Sequence, residues 1–377
     1  MRACKSDYPV YNFSRVLHLA FFIMFLGACA PREQEPDWTM VPFAKADTVN
    51  PVLQPLDSSR FVCPVRGSVV HWERKDVFNP AAVVKDNKVF LLYRAEDTVG
   101  RHAGTSRIGL AESTDGLHFV RRPEPVLFPR EDAYINYEWE GGCEDPRIVE
   151  DGRGTYYMTY TAYDGNIARL LIASSHDLIT WKKHGAVFRN AHKGKFVNKW
   201  TKSGAIVTRL ENGRLVAARI GGKYWMYFGD THIFAATSDN MVEWTPLITE
   251  DGKDFLPIFS PREGMFDSDL VEPGPPAMVT DKGILLLYNA RNHPEKGDPD
   301  LPAGTYTAGQ VLLDPNDPTH VLDRTDEYFF RPTQSYEITG QVNNVCFLEG
   351  LVFFKDRWLL YYGTADSKIA VATYAGG

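Results

Sequence analysis

The chain has few cysteines, and none of them shows the paired spacing that holds a metal ion. Its 377 residues include five cysteines, at positions 4, 29, 63, 143 and 346, with no Cys-x-x-Cys pair among them. A zinc site is therefore not expected. One disulfide among the last three can form, but the spacing assigns no pairing. Because no histidine is evidently paired with Cys143, we expect a packed thiol there rather than a nucleophile.

The sequence also lacks the marks of a cofactor or a nucleic-acid partner. No His/Asp cluster with metal-ligand spacing and no glycine-rich phosphate loop stands out, so we predict no cofactor. Lys and Arg form no block or stripe, and the formal net charge is −7. This charge pattern argues against binding to nucleic acid.

The apolar run near the N-terminus is too short to cross a bilayer comfortably. Lys5 and Arg15 precede it, it covers residues 16–25, and it ends in Leu-Gly-Ala-Cys at positions 26–29. This pattern is typical of a signal peptide, and its ending resembles a bacterial lipobox. We predict a lipoprotein signal peptide at 1–28, a lipid on Cys29, and a polar, flexible tether at 29–50. An ordinary signal peptide with a chance cysteine is the alternative.

These N-terminal features predict a location in the bacterial cell envelope, either in the periplasm or on the outer surface. The predicted lipid is the only contact with the membrane that the sequence suggests. The oligomeric state is not predicted.

One apolar strand recurs five times along the rest of the chain. The copies align on a tyrosine, with spacings of 67, 67, 61 and 73 residues between Tyr93, Tyr160, Tyr227, Tyr288 and Tyr361. Each copy follows a strand that starts polar and turns apolar, and turn residues separate the two in a hairpin pattern. No long amphipathic helix lies between the copies, which excludes Rossmann and TIM-barrel folds. We therefore predict an all-β, five-bladed β-propeller at residues 51–377.

A third strand follows in at least three repeats and ends in a turn of its own. There an aspartate precedes an aromatic residue by four or five positions, in the pairs Asp115/Phe119, Asp177/Trp181 and Asp239/Trp244. We expect the aspartate to cap the turn and the aromatic ring to fill the gap between neighbouring repeats.

The segment Gly-Gly-Cys-Glu-Asp-Pro-Arg at 141–147 is the strongest candidate for catalysis. It starts the inner strand of the second repeat, where polar side chains of a propeller meet at one mouth of the channel. Proline favours an extended residue before it, so Glu144 and Asp145 should point in opposite directions. Only one of them should face the channel, and the other should pair with Arg147 or the scaffold.

Glu272 is the candidate for a second carboxylate, because glycoside cleavage commonly uses two. It lies at a comparable strand start two repeats later and could instead be a solvated or capping residue. Other polar residues at strand starts and ends should bind a polyol substrate: Asn79, Arg94, Asp97, Glu144, Arg147, Lys202, Asp230, Asp269 and Asp366. Turn capping is the alternative role for Asp97, Asp230 and Asp366.

Several of these motifs together resemble glycoside hydrolase family 130. They are Glu-Asp-Pro-Arg at 144–147, Arg-Ile-Gly-Leu-Ala-Glu-Ser-Thr-Asp-Gly at 107–116, the Ser/Thr-x-Asp turns and Gly-Pro-Pro at 274–276. The resemblance runs from about Asn79 to the C-terminus. It implies inverting β-mannosidase or β-mannoside phosphorylase activity, with Asp145 as the acid. It also implies that Asn79, Arg94 and Arg107 hold the mannosyl unit or its acceptor.

The acceptor distinguishes the two branches of that family. Phosphate needs a cradle of cations, whereas hydrolysis needs a carboxylate that activates water. The resemblance places Asn289-Ala290 and Glu272 at the positions where the phosphorylases of the family carry a His-Gly pair and a small residue. A carboxylate at a phosphate-facing position should repel phosphate and favour water. We therefore predict hydrolysis of β-mannosides, with β-1,2-linked mannosides as one candidate substrate. Arg107, Lys202 and Arg219 keep phosphorolysis open, and a non-catalytic glycan-binding protein is a third reading.

Overall fold

Residues 36–376, which the computed structural model describes, are built almost entirely of β-strands. Two single-turn helices, α1 (Ile135–Glu138) and α2 (Ser335–Ile338), and a 3₁₀ turn at Ala191–Gly194 interrupt them. Within this range no helix has the length and apolar character to cross a membrane. The predicted signal peptide and Cys29 lie outside the described residues.

The strands occur along the chain as a short N-terminal set and five successive groups. The N-terminal set is β1 (Ala44–Lys45), β2 (Phe61–Cys63) and β3 (Ser68–Val70). The first group is β4 (Asp76–Lys85), β5 (Lys88–Glu96), β6 (Ser106–Ser113) and β7 (Val120–Arg121). The second group is β8 (Gly142–Glu150), β9 (Tyr156–Tyr163), β10 (Ala168–Ser175) and β11 (Lys182–Ala186).

The third group is the longest in number of strands. It contains β12 (Ala205–Ile206), β13 (Thr208–Glu211), β14 (Arg214–Ala217), β15 (Arg219–Ile220), β16 (Lys223–Phe228), β17 (Ile233–Ser238), β18 (Trp244–Pro246) and β19 (Pro257–Phe259). The fourth group is β20 (Leu270–Pro273), β21 (Met278–Val279), β22 (Ile284–Arg291), β23 (Tyr306–Leu313) and β24 (Val321–Arg324). The fifth group is β25 (Cys346–Phe353), β26 (Trp358–Thr364) and β27 (Lys368–Tyr374).

Strands within each group pair antiparallel, as expected for successive hairpins. The five tyrosines that define the repeat lie on β5, β9, β16, β22 and β26, each of which pairs with a strand on both sides. All five side chains are fully buried. The repeat read from the sequence is thus confirmed at the level of the strand groups.

Five apolar clusters hold these groups together, and each cluster is shared by two groups. Tyr160 and Leu92 belong to a cluster between the first and second groups, and the same arrangement joins the second to the third, the third to the fourth, and the fourth to the fifth. A last cluster, which includes Tyr361 and Tyr93, joins the fifth group to the first. Burial of these apolar surfaces is the main source of stability for the domain.

The turn after the third strand is confirmed in the first two groups and needs one correction in the third. Asp115 and Asp177 each accept hydrogen bonds from two backbone N–H groups of the following turn. In the third group Asn240 takes this role, whereas Asp239 binds Lys223 at the surface. Both an amide oxygen and a carboxylate oxygen can accept such bonds. The sequence pattern therefore did not distinguish Asn240 from Asp239, and the prediction of Asp239 was wrong.

The aromatic residues of these turns pack between groups, as predicted. Trp181 lies in the cluster shared by the first and second groups, and Trp244 lies in the cluster shared by the second and third. Phe119 meets the ring of Tyr361 edge-on, at 5.7 Å between centroids.

The predicted tether extends too far along the chain, because residues from Asp37 onward belong to the domain. Strand β1 pairs antiparallel with β27, and the Lys45 ammonium binds Glu337 at 2.6 Å. Met40 is buried, and its backbone exchanges two hydrogen bonds with the amide of Gln310. The prediction rested on the polar composition of this segment. Its apolar residues, such as Met40, nevertheless pack against the domain.

The three cysteines among the described residues are buried and unpaired, so no disulfide links Cys63, Cys143 and Cys346. Burial raises the pKa of the Cys143 thiol well above its ordinary value. A protonated, enclosed thiol is a poor nucleophile, which fits the predicted packing role.

Candidate active site

Asp145 lies at a bulge in β8, the inner strand of the second group. The antiparallel register with β9 shifts between Glu144 and Arg147, and Asp145 has a φ of 45°. The prediction that proline keeps Asp145 extended is therefore wrong. A bulge breaks the alternation of side chains along a strand, so adjacent residues can face the same side.

Both carboxylates of the Glu-Asp pair contact one cation, Arg94 on β5. Arg94 Nη2 lies 3.1 Å from Glu144 Oε1, and Arg94 Nη1 lies 3.1 Å from Asp145 Oδ1. Asn79 donates from Nδ2 to Asp145 Oδ1 at 3.0 Å. The structure thus brings Asn79, Arg94, Glu144 and Asp145 together, although the sequence predicted that only one carboxylate would face the site.

Lys202 connects Asp145 to Glu272. Its Nζ lies 3.4 Å from Asp145 Oδ2 and 3.8 Å from Glu272 Oε1. Ser203, the next residue, donates a hydrogen bond from its hydroxyl to Glu272 Oε1. Because one ammonium touches both carboxylates, these two oxygen atoms lie within about 7 Å of each other.

The two candidate catalytic carboxylates are almost completely enclosed. Asp145 is 2% exposed and Glu272 is 4% exposed, so a solvated role for Glu272 is excluded. Arg94 and Lys202 keep small exposed areas, 15% and 20% of their side chains, and connect the site to solvent.

Burial and neighbouring charges shift the pKa values of the carboxyl groups at this site in different directions. Burial raises the pKa of Glu272, with Lys202 and Arg147 opposing it. Burial also raises the pKa of Glu144, to about 7, and the charge of Asp145 adds to it. For Asp145 the effect of burial is outweighed by Arg94, Lys202 and the Asn79 hydrogen bond, and the pKa lies below its ordinary value. The ligand-free site therefore holds Asp145 as an anion beside carboxyls that protonate more readily.

A repeated register position explains why these side chains meet. Asn79, Glu272 and Glu349 each come one residue before the position that pairs with a repeated tyrosine. Asn79 and Glu349 lie at register shifts like that at Asp145. Equivalent strands of different groups thus carry a polar residue at the same register position.

Arg147 does not bind Glu144, the pairing that the sequence left open. Its guanidinium donates to the backbone carbonyls of Pro273 and Gly274, at 2.7 and 3.0 Å, and to that of Asp145 at 3.2 Å. Its charge pairs with the Glu349 carboxylate at 2.9 Å. Arg147 therefore ties the strand of Asp145 to the strand that ends just after Glu272.

Three further predicted residues lie around this centre. Trp200 donates from its indole N–H to Asp230 at 2.6 Å, and Arg291 donates to Asp269 at 2.5 Å. Burial raises the pKa of Asp366 to about 7, with Arg94 opposing it and the charge of Asp145 adding to it.

Arg107 does not join the site. It is fully buried and pairs with Asp97 at 2.7 Å, on the face of β6 opposite to Ser106. Ser106 faces the site, where its hydroxyl accepts from Arg94 Nε at 3.0 Å. Alternation along a strand decides this difference between neighbours. Asp97 is structural, because it also accepts hydrogen bonds from two backbone N–H groups.

Two residues that bear on the choice of acceptor are engaged with backbone groups, although Asn289 is the antiparallel register partner of Glu272. Arg219 is exposed and donates to the backbone carbonyls of Gly222 and Asp239. The amide of Asn289 is buried and makes hydrogen bonds in both directions with the backbone of Leu348. Neither side chain is available to bind an anion at Asp145.

Comparison with known proteins identifies the family of the chain. A family model described as β-1,4-mannooligosaccharide phosphorylase matches residues 56–375. The chain belongs to glycoside hydrolase family 130. It is therefore an enzyme, and the family resemblance read from the motifs is confirmed.

Relatives of this family 130 enzyme carry two kinds of description. A 1,2-β-oligomannan phosphorylase of Thermoanaerobacter is 32% identical over 309 residues, covering 80% of this chain and 90% of the relative. A solved structure from Bacteroides thetaiotaomicron, whose description proposes a glycosidase, is 48% identical, with a TM-score of 0.88, covering 90% of this chain and 98% of that one.

Another solved structure is 50% identical, with a TM-score of 0.88, covering 90% of this chain and 95% of that one. It is described by the statement that this family of mannoside phosphorylases contains glycoside hydrolases that target β-1,2 mannosidic linkages in Candida mannan.

Sequence reasoning on this family 130 enzyme missed Ser106 and Glu349. Glu349 lies inside the apolar strand β25, where only the register shift turns it toward Arg147. A single charged residue within an apolar strand was the available signal.

Proposed function

We propose that this enzyme is an inverting hydrolase that releases mannose from β-mannosides. The observation that carries the proposal is the charge at the site. Among the described residues, the cations that contact Asp145 or Glu272 through their side chains are Arg94 and Lys202, and both are already paired with carboxylates. A phosphate ion entering beside Asp145 would meet Glu144 and Glu272 without the dense set of donors that binds it tightly.

The comparison with relatives supports the same acceptor and suggests a linkage. The relative at 32% identity is a phosphorylase, whereas the structure at 50% identity is described with hydrolases that target β-1,2 linkages. We propose β-1,2-linked mannosides as the substrate class.

The proposed mechanism uses Asp145 as general acid and Glu272 as general base. Glu272 takes a proton from water, the water oxygen attacks the anomeric carbon, and Asp145 supplies a proton to the departing glycosidic oxygen. This role requires Asp145 to be protonated in the reacting complex, so the bound sugar must weaken its contact with Lys202. Ser203 and Lys202 orient Glu272 toward the water.

We also propose that the domain is a five-bladed β-propeller, with one strand group per blade. The support is the five shared apolar clusters, the last of which joins the fifth group to the first. In a propeller the inner strands converge, which would place Asp145 and Glu272 at one mouth of the channel.

The acceptor is tested by product analysis with and without phosphate. We expect free mannose from β-1,2-mannobiose at the same rate in phosphate and in a phosphate-free buffer. Mannose 1-phosphate as the product would establish phosphorolysis, the second candidate, which Lys202 and the phosphorylase relatives favour. Saturable binding of the disaccharide with no product in either buffer would instead identify a glycan-binding protein.

The two catalytic roles are tested with Asp145→Asn and Glu272→Gln on two substrates. We expect both variants to lose about 10²-fold or more of the activity on mannobiose. On an aryl β-mannoside with a good leaving group, Asp145→Asn should keep much of its activity, because departure then needs little acid assistance. Azide should restore turnover to Glu272→Gln with an inverted mannosyl azide as product. The opposite pattern would exchange the two roles.

The predicted lipid on Cys29 supports a place in the cell envelope. We propose that the enzyme is anchored there through this lipid. Incorporation of labelled palmitate into the wild-type chain, and its loss in Cys29→Ala, would support the anchor. Equal labelling of both chains would contradict it.

A further inference from the structure

Trp200 leaves a large apolar surface in solvent at the edge of the site. Its side chain is 48% exposed, and among the exposed large hydrophobic residues of the described chain it is the only aromatic one. Exposed indole surface gains free energy when an apolar surface covers it.

Two contacts hold this indole in place. Its N–H donates to Asp230 Oδ2 at 2.6 Å. The ring of Tyr163 meets it edge-on, with 6.4 Å between centroids and 68° between planes. His102 in turn packs against Tyr163 at 5.9 Å. A ring fixed in this way loses little conformational entropy when a ligand covers it.

The indole lies near Lys202, the cation that contacts both proposed catalytic carboxylates. Trp200 precedes Lys202 by two residues, and the backbone of Gly229, next to Asp230, donates to the Lys202 carbonyl at 3.0 Å. The pKa of Glu272 is raised chiefly by burial, and the charge of Asp230 adds to it. Asp230 is therefore linked to the exposed ring of Trp200 by a hydrogen bond and to the buried carboxyl of Glu272 by charge.

We propose that Trp200, Tyr163 and Asp230 form the binding platform for the sugar on the leaving-group side of the cleaved bond. The inference rests on the proposed mannoside cleavage and adds a subsite to it. The carbon-bound hydrogens on one face of a pyranose ring cover the indole, and a sugar hydroxyl donates to Asp230. A ring with an apolar face and polar edges fits this combination of surfaces.

The order of burial assigns the platform to the leaving-group side. Asp145 and Glu272 are nearly enclosed, so the mannosyl unit whose bond is attacked lies deepest. The remainder of the substrate then extends toward solvent, past Lys202, and meets Trp200 at the rim.

The platform is tested by comparing two substrates that share the mannosyl unit. β-1,2-Mannobiose has a sugar as leaving group, whereas β-mannosyl fluoride releases a fluoride ion and no sugar. For Trp200→Ala we expect kcat/KM on mannobiose to fall about tenfold, since a loss of about 1.4 kcal/mol corresponds to that factor. Activity on the fluoride should stay unchanged. Trp200→Phe should retain part of the preference for the disaccharide.

Trp38→Ala is the matched control, because the Trp38 indole also donates to a carboxylate, that of Asp323 at 2.9 Å. It should leave both activities unchanged. An equal loss on both substrates in Trp200→Ala, or no loss on either, would overturn the platform. A wild-type enzyme that cleaves neither substrate would contradict the proposed function itself. The ratio of kcat/KM on mannobiose to that on the fluoride is measured in phosphate buffer, so that it tests the platform whether water or phosphate is the acceptor.

Discussion

Glu144 and Asp145 follow each other in the chain, yet both carboxylates contact the guanidinium of Arg94. One cation cannot fully compensate the charges of two carboxylates, so one of the two acids protonates more readily than the other. Asp145 also has Asn79 and Lys202 as partners and keeps its charge. Glu144 has fewer partners, and burial raises its pKa to about 7. At the residue scale, the reactivity of this site depends on how the few cations are shared.

Replacement of Lys202 by methionine should move the pH profile of the reaction upward. Burial favours the neutral form of both Asp145 and Glu272, and the Lys202 ammonium lowers the pKa of each. Without this cation each carboxylate protonates at higher pH, by about one unit. Both limbs of kcat/KM against pH should therefore shift to higher pH. Lys199→Met, which removes a surface ion pair with Asp254, is the control; an unshifted profile in Lys202→Met would contradict this role.

Replacement of Arg147 by methionine should destabilise the fold by about 3 kcal/mol, because three buried carbonyls and a buried carboxyl lose their partner. The carbonyls belong to Asp145, Pro273 and Gly274. Glu349→Gln should be milder, since the neutral amide keeps the shape of the side chain and Arg147 keeps its three carbonyl partners. Urea unfolding measures both, and equal losses in the two variants would contradict this account.

At the element scale, the inner strands owe their function to departures from regular pairing. Bulges occur at Asn79, Asp145 and Glu349, opposite or beside the repeated tyrosines. The tyrosines beside these bulges are fixed by their hydroxyls: Tyr93 donates to Glu73, Tyr160 to Glu138 and Tyr361 to the carbonyl of Gly116. A fixed tyrosine beside each bulge holds the irregular backbone in one conformation.

The turn correction in the third group gives a prediction with a neighbouring control. Asn240→Ala should lower the free energy of unfolding by about 1 kcal/mol, as loss of a capping side chain does. The amide oxygen of Asn240 accepts from the backbone N–H groups of Val242 and Glu243. Asp239→Ala removes only a surface pair with Lys223 and should change stability by less than about 0.5 kcal/mol. Chemical denaturation distinguishes them; a larger loss in Asp239→Ala would restore the original assignment.

At the scale of the whole molecule, the chain buries its core in five separate clusters rather than one. Each cluster needs two adjacent strand groups, so no group can bury its apolar surface alone. The N-terminal strand β1 completes the fifth group by pairing with β27. Strands from opposite ends of the chain therefore depend on each other for stability.

Removal of residues up to 50 should lower the melting temperature by about 5 °C or more relative to a chain that starts at residue 36. The longer chain keeps β1, the buried Met40 and the Lys45–Glu337 pair. Loss of a buried methionine alone costs about 2 kcal/mol or more. Differential scanning calorimetry measures the change. Equal melting temperatures would show that residues 37–50 act as the tether predicted from composition.

Much of the site was accessible from the sequence because it lies at strand starts that the repeat identifies. Asn79, Arg94, Asp145, Lys202 and Glu272 were predicted and do meet. Arg107 was predicted through its motif and does not, because the motif records its position along β6 and not the face on which it lies. Glu349 was missed because a charged residue within an apolar strand does not reveal the backbone bulge that turns it toward Arg147.

The sequence by itself determined the all-β character, the fivefold repeat and the family, since strand periodicity, turn chemistry and motif spacing are local properties of the chain. Tertiary structure alone decided which neighbours share a partner. Bulges turned Glu144 and Asp145 to one side, burial and shared cations divided their protonation, and long-range packing brought β1 to β27. These outcomes depend on residues far apart in the chain, whose meeting no local pattern encodes.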